Sequence, residues 1–279
     1  MADNRPIGVF DSGIGGLTVL REIIATVPNE STVYFGDDGR APYGTKSHST
    51  IINYSLQDMM FLQKQDVKMI VIACNTASTH AYKTLAKCSD VPVVEVVVPG
   101  AKAAVEATKN GRIGIIATNA TVSSGVYESA VKEAGKDIPS LEVYSQACPL
   151  FVSLAEEGWW DDEVALLTAE RYLQPLKEAG VDTVVLACTH YPLLAKTISK
   201  VMGPDVKLIN SGIAVASVVK DILVKNDMES DGSKVTRSFY TSDDPSRFEA
   251  VASPFLGRGL PAGTKKQVVD KYDVSGLVP

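Results

Sequence analysis

Short runs of β-branched and aliphatic residues recur along the whole chain with longer amphipathic stretches between them, and this alternation limits the fold more than any other feature. Candidate strands are Ile7–Phe10, Thr32–Phe35, Met69–Ala73, Val93–Val96, Ile113–Ile116, Glu142–Tyr144, Thr183–Ala187, Lys207–Ile209 and Arg237–Tyr240. Candidate helices between them include Leu17–Val27, Ser49–Lys64, Thr76–Lys87, Pro99–Lys109 and Asp161–Ala179. Strands that read as unbroken apolar runs are buried on both faces, as in parallel sheets covered by helices. The pattern predicts an α/β fold. A chain of 279 residues can bury one large core or two smaller ones.

Charge and hydropathy narrow the partners. With 27 Lys+Arg against 33 Asp+Glu the net charge is −6, and no basic cluster marks a nucleic-acid footprint. The apolar runs Met69–Cys74 and Val91–Val98 are too short to span a bilayer, and Glu95 interrupts the second. Met1–Pro6 lacks the apolar region of a secretory signal. The expectation is a soluble, cytoplasmic protein with neither nucleic-acid nor membrane partners. Its four cysteines (Cys74, Cys88, Cys148, Cys188) show no C-x-x-C spacing, and His48, His80 and His190 are scattered. Neither a disulfide scaffold nor a metal site is expected.

A faint repeat organises the chain further. Ile7-Gly8-Val9-Phe10 returns as Ile113-Gly114-Ile115-Ile116, and Ile70–Thr76 returns as Val184–His190 with Cys74 matched to Cys188. Val91–Val94 has its counterpart in Val206–Ile209. Two lobes of similar β/α order are expected. In open α/β sheets the ligand crevice lies beyond the carboxyl ends of the strands. Asp11-Ser12, Cys74-Asn75-Thr76 and Cys188-Thr189-His190 all fall at such ends.

If the lobes face each other, the two cysteines reach one cleft from opposite sides. Inverting a carbon that bears an acidic hydrogen needs a base on one face and a proton donor on the other. A thiol, with an ordinary pKa of about 8.5, serves as either. Asp11 is a polar neighbour for Cys74, and His190 for Cys188. Free cysteine is also among the most buried residue types, so one such residue alone would read as core. Cys88 and Cys148 lack a match and read as structural.

The loop Asp11-Ser12-Gly13-Ile14-Gly15-Gly16 resembles a dinucleotide fingerprint but has Thr18 where the third glycine belongs. It reads better as a helix N-terminus whose N–H groups, with the Ser12 hydroxyl, hold a substrate carboxylate. Asn75, Thr76 and Thr189 offer the same service, although Ser12, Thr76 and Thr189 also suit ordinary helix caps. The Gly/Pro-rich loop Gly36–Gly44 is dense in side-chain chemistry. Glu156 reads either as a supporting acid or as part of a solvated face, and the residues alone favour the latter. Trp159-Trp160 suits an interface anchor or a buried aromatic pair.

Taken together, Phe10–Leu17, Pro42-Tyr43-Gly44, Ala73–Ala77, Ala147–Val152 and Cys188–Pro192 closely resemble the bacterial glutamate racemases, in order from about residue 7 to 256. The resemblance implies two pseudo-symmetric α/β lobes with the site between them, residues 1–98 plus 210–279 forming one lobe and 99–209 the other. It implies interconversion of L- and D-glutamate without pyridoxal phosphate, metal, nucleotide or other cofactor, supplying D-glutamate for peptidoglycan. By position, Cys74 resembles the base for D-glutamate and Cys188 the base for L-glutamate. Asp11, His190 and Glu156 match the groups that assist proton transfer. Substrate contacts are implied for Asp11, Ser12, Pro42, Tyr43, Gly44, Asn75, Thr76, Thr118, Thr121, Thr189 and His190.

Two departures from the family pattern are Ala187, where glycine is common, and Asn210, where aspartate is common. Residues beyond about 262 have no clear counterpart, and the Ser275–Pro279 end is open to a non-native origin. Only six residues precede the first strand, so control through an N-terminal extension is not expected. Association as a homodimer is left open. The rival readings are a sibling activity on the same framework, such as aspartate racemisation, and a solute-binding protein that leaves the α-hydrogen in place.

Overall fold

The computed structural model describes residues 2–260 and 263–277, so the last two residues of the Ser275–Pro279 end lie outside the described residues. The described strands are β1 (Ile7–Asp11), β2 (Thr32–Gly36), β3 (Met69–Ile72), β4 (Val93–Glu95), β5 (Arg112–Ala117), β6 (Glu142–Ala147), β7 (Thr183–Ala187), β8 (Lys207–Asn210), β9 (Arg237–Thr241) and β10 (Lys265–Lys266). The helices are α1 (Leu17–Thr26), α2 (His48–Gln63), α3 (Asn75–Cys88), α4 (Val97–Ala107), α5 (Asn119–Ser123), α6 (Val126–Ala134), α7 (Leu150–Glu156), α8 (Glu163–Glu178), α9 (Ala195–Met202), α10 (Ser211–Lys225) and α11 (Pro245–Leu256).

The strands form two sheets in the orders β10-β9-β2-β1-β3-β4 and β6-β5-β7-β8. Every pairing is parallel. The order β2-β1-β3-β4 in the first sheet is repeated by β6-β5-β7-β8 in the second, the repeat that the matched segments predict. β1 and β5 are the equivalent inner strands, and in each a glycine directly follows an isoleucine, Ile7-Gly8 in one and Ile113-Gly114 in the other. A Cβ on Gly8 would meet Val67 at 3.0 Å and Leu62 of α2 at 3.3 Å, and one on Gly114 would meet Leu176 of α8 at 3.1 Å. In both halves the missing side chain lets a long helix lie close on the sheet.

Burial follows the sequence pattern. β1, β2, β3 and β7 are buried along their whole length, as strands covered on both faces must be. β6 is an edge strand with half-buried positions, so polar Ser145 and Gln146 extend it past Tyr144, where the apolar signal ends. One core runs from Leu17, Leu20 and Ile23 of α1 through Val215 and Val219 of α10 to Leu173, Leu186 and Ile198. α10 packs on both α1 and α4 and joins the two sheets' helical layers. Truncating a side chain such as Leu20 to alanine is expected to cost about 2–5 kcal/mol.

A second core, beneath α2 and α3, gathers Phe35, Ile51, Leu56, Phe61, Ile70 and Leu85. Val269, Tyr272 and Val274 belong to it, so the stretch around residues 265–274 is packed on the first sheet. A third core lies between α4, α6 and the second sheet. Trp160 is half-buried and donates from Nε1 to the Ala155 carbonyl at 2.8 Å, whereas Trp159 is exposed, so the two do not form a buried pair. The aromatic spacing could not reveal that α7 ends before Trp159 and α8 begins after Trp160, leaving Trp159 on a surface turn. Among the described residues no helix is long and apolar enough to cross a membrane.

Candidate active site

Parallel strands point all their carboxyl ends to one rim, and there the loops after β1, β2, β3, β5 and β7 converge. They enclose a cavity of about 40 Å³. Ser12, Pro42, Tyr43, Gly44, Cys74, Asn75, Thr76, Thr118, Glu156, Cys188, Thr189 and His190 all line it. Asp11 and Thr121 stand just behind: Asp11 is within 3.5 Å of the Thr189 hydroxyl, and the Thr121 hydroxyl is 3.2 Å from that of Thr76. Gly13, Ala41, Val152 and Ala187 complete the wall, which contains no lysine or arginine. Both matched cysteines therefore reach one cavity, and all four cysteines of the chain are free.

Cys74 caps α3, its Sγ accepting the Ala77 N–H at 3.4 Å. Its direct side-chain contact is Ser12, whose Oγ lies 3.6 Å from Sγ, rather than Asp11. Burial pushes the Cys74 thiol up to about 12, and the nearby Asp11 carboxylate adds to the shift. Asp11 ends β1 with no solvent exposure. Burial raises its carboxyl to about 6, opposed by the His190 charge and by the Gly16 and Gly13 N–H groups.

The Gly13 N–H is engaged by Asp11 Oδ2 at 3.2 Å. Part of the loop's donor capacity thus holds the chain's own carboxylate, a correction to reading the whole loop as a cradle for substrate. The expected cap roles also differ. Cys74, not Thr76, caps α3, and α1 has no side-chain cap. Ser12, Thr76 and Thr189 consequently keep their hydroxyls for the site.

The Cys188 side is built differently. Its Sγ lies 3.9 Å from His190 Nδ1, and His190 Nε2 is 3.0 Å from Glu156 Oε1. Burial pulls the imidazole down, but the hydrogen bonds to Cys188 and Glu156 outweigh it and raise His190 to about 10. The same hydrogen bond holds the Glu156 carboxyl below its usual range. Glu156 is 45% exposed at its side chain, so it is both solvated and paired. The loop after β1 closes against this pair: a Cβ on Gly15 would run into the Thr189 hydroxyl and the His190 ring.

Asn75 is buried, and neither its amide nitrogen nor its amide oxygen has a partner. Such a group costs free energy unless something fills its hydrogen bonds, and here it lies at the cavity wall. Thr76, Thr118 and Thr121 link their hydroxyls at 3.0–3.2 Å across the seam between the two sheets' loops. Ala187 lines the cavity, and Asn210 caps α10 by accepting the Gly212 N–H at 2.9 Å, a duty asparagine performs as well as aspartate. Cys148 is buried with its Sγ 3.6 Å from the Gln146 carbonyl, and Cys88 is half-buried. No group of three or more metal-ligating side chains occurs among the described residues.

The Asp/Glu/Hydantoin racemase family matches residues 7–219. The glutamate racemase of Geobacter metallireducens is 49% identical over 257 residues, covering 92% of this chain and 94% of that protein. That of Neisseria meningitidis serogroup A is 46% identical over 258 residues, covering 92% and 94%. The crystal structure of glutamate racemase from Francisella tularensis in complex with D-glutamate superposes with a TM-score of 0.89 at 37% identity, covering 97% of this chain and all of that one. With the family matched over most of its length and both thiols facing one cavity, the chain belongs to the Asp/Glu/Hydantoin racemase family and is an amino-acid racemase, an isomerase.

Proposed function

We propose that the chain interconverts L- and D-glutamate by cofactor-free proton transfer between Cys74 and Cys188, supplying D-glutamate for peptidoglycan in the cytoplasm. The observation that carries this reading is that two buried thiols line one cavity with unlike partners, Ser12 and Asp11 beside one and the His190–Glu156 pair beside the other. Glutamate is the substrate named for the relatives with the greatest coverage described above. The lobes are proposed to comprise residues 1–98 plus 210–279 and 99–209, in keeping with the membership of the two sheets.

With L-glutamate bound, Cys188 serves as the base, its sulfur 3.9 Å from Nδ1 of the His190 imidazolium. The thiolate takes the α-hydrogen as a proton, forming S–H as the C–H bond breaks, and the electron pair delocalises into the α-carboxylate. Cys74, which holds its proton firmly, donates it to the opposite face of the carbon. Cys188 leaves as thiol and Cys74 as thiolate. Returning the proton through Asp11, His190 and solvent restores the starting state, and the reverse sequence serves D-glutamate. Asn75 supplies the unfilled donor and acceptor for a carboxylate and an ammonium, helped by the Ser12, Thr76 and Thr189 hydroxyls. Orientation of this kind accounts for a large part of such a barrier's reduction.

The test uses purified chain with L-glutamate in D₂O and no added cofactor, following the α-proton by NMR and the optical signal by circular dichroism. Loss of both establishes the racemase. Loss of the proton signal alone means one-face exchange. Loss of neither, with binding evident, returns the solute-binding reading.

A further inference from the structure

The stretch carrying Pro42, Tyr43 and Gly44 belongs to no sheet, yet it forms one wall of the cavity. What fixes it lies behind that wall. The Tyr43 side chain is buried, and its hydroxyl lies 2.5 Å from Asp37 Oδ2 and 2.9 Å from Asp58 Oδ2. Arg40 reaches both oxygens of Asp37 through Nε at 3.0 and 2.7 Å, and Asp58 Oδ1 through Nη2 at 2.9 Å. Both carboxylates have no side-chain exposure. The Tyr54 ring covers the guanidinium, 4.1 Å from its centre, and Asp270 closes the outer side at 3.1 Å from Nη1. Since the phenol oxygen is occupied here, Tyr43's contribution to the cavity is not its hydroxyl.

Hydrogen counting assigns the protons. A phenol has one hydrogen to donate, so it cannot satisfy two ionised carboxylates at once. A second proton must lie among the three oxygens. Asp37 receives Arg40 on both its oxygens and is the natural anion. Asp58 meets Arg40 on Oδ1 alone, leaving Oδ2 to carry the proton and donate it to the Tyr43 oxygen. Burial, reinforced by the neighbouring Asp37, holds the Asp58 carboxyl well above the usual range. At the other end of the loop, a Cβ on Gly44 would come 2.9 Å from the Thr118 Cβ, so the loop's tip touches the second sheet's side of the cavity.

We propose that Asp37, Arg40 and Asp58 are positioning residues for substrate binding: a carboxyl pair sharing one proton and clamped by Arg40 locks the Tyr43 hydroxyl and so sets the Pro42–Gly44 wall against Thr118. This rests on the glutamate racemase reading of the same cavity. The cluster acts on the wall rather than on the thiols, so its loss falls on KM and spares kcat.

Steady-state racemisation of both enantiomers by the full chain tests it. Asp37→Asn places an amide nitrogen where an acceptor is needed, and Tyr43→Phe removes the link while keeping the ring. Each is expected to raise KM about tenfold, with kcat held within about threefold. Asp58→Ala does the same, whereas Asp58→Asn restores a low KM, because its oxygen accepts from Arg40 and its NH₂ donates to Tyr43. Unchanged KM in Asp37→Asn and Tyr43→Phe, with only a lower melting temperature, overturns the positioning role. Equal defects in Asp58→Asn and Asp58→Ala overturn the proton assignment. A wild-type chain that leaves the α-hydrogen of glutamate in place overturns the racemase reading and this inference with it, whereas wild-type turnover with unchanged KM in the variants overturns this inference alone.

Discussion

Cys74 and Cys188 occupy matching strand ends in two sheets of the same strand order, but their surroundings carry opposite charge. Beside Cys74 are a hydroxyl and a fully buried carboxyl, and burial together with that carboxyl keeps the sulfur protonated against the pull of the Ser12 hydroxyl. Beside Cys188 is an imidazole raised to about 10 and braced by a half-exposed carboxylate. The repeated fold supplies two equivalent positions for a thiol, and the residues packed around each make one side proton-retaining and the other side cationic. Equivalent backbones thus do not imply equivalent chemistry.

The largest test of that comparison removes the thiols. Cys74→Ser and Cys188→Ser are each expected to lower racemisation on the order of 10²–10⁴-fold, since a hydroxyl's proton is far harder to exchange at working pH. Near-wild-type rates in either variant would remove the two-thiol scheme. Next in size, His190→Gln deletes the cation beside Cys188, with an expected loss of about 10²-fold in kcat.

The His190 variant has a second readout. In the folded chain His190 keeps its proton up to about pH 10, while the unfolded imidazole releases it near 6.5. The stability it confers is therefore complete below pH 6.5 and disappears as pH climbs through about 10. Thermal unfolding between those limits should fall more steeply for wild type than for His190→Gln. Equal slopes would mean the imidazolium is not held as described.

A smaller effect belongs to the Cys74 side. The wild-type kcat/KM is expected to rise through about pH 6 as Asp11 ionises, and Asp11→Asn should abolish that limb and cost about tenfold above it. The smallest effect is that of Glu156→Gln, about threefold, because the carboxylate is partly solvated. Its mark would be an alkaline limb displaced to lower pH, since His190 loses the partner that helps hold its proton.

Much of this architecture is legible in the linear chain because it is written in local periods. Runs such as Ile7–Phe10 and Thr183–Ala187 announce buried parallel strands, and the recurrence around Cys74 and Cys188 exposes the doubled order. What escaped depends on contacts between distant residues. Glu156 looks like part of a solvated face, and only folding brings it to His190. Asp58 sits mid-helix in α2 with nothing local to distinguish it from a surface acid, yet it is fully buried against Tyr43. Residues 265–274 carry a weak apolar pattern, and their place against the first sheet appears only in three dimensions.

The doubled strand order has a stereochemical consequence. Enantiomers are related by reflection, and no chain of L-residues can reproduce a reflection by repeating itself. Two matching halves can therefore present thiols to opposite faces of one carbon, but they cannot offer mirror-image surroundings to the two hands of a substrate. L- and D-glutamate have equal free energy in water, so a true racemase must process both with equal kcat/KM. The unequal partners of Cys74 and Cys188 are thus confined to how each direction divides that ratio between saturation and turnover.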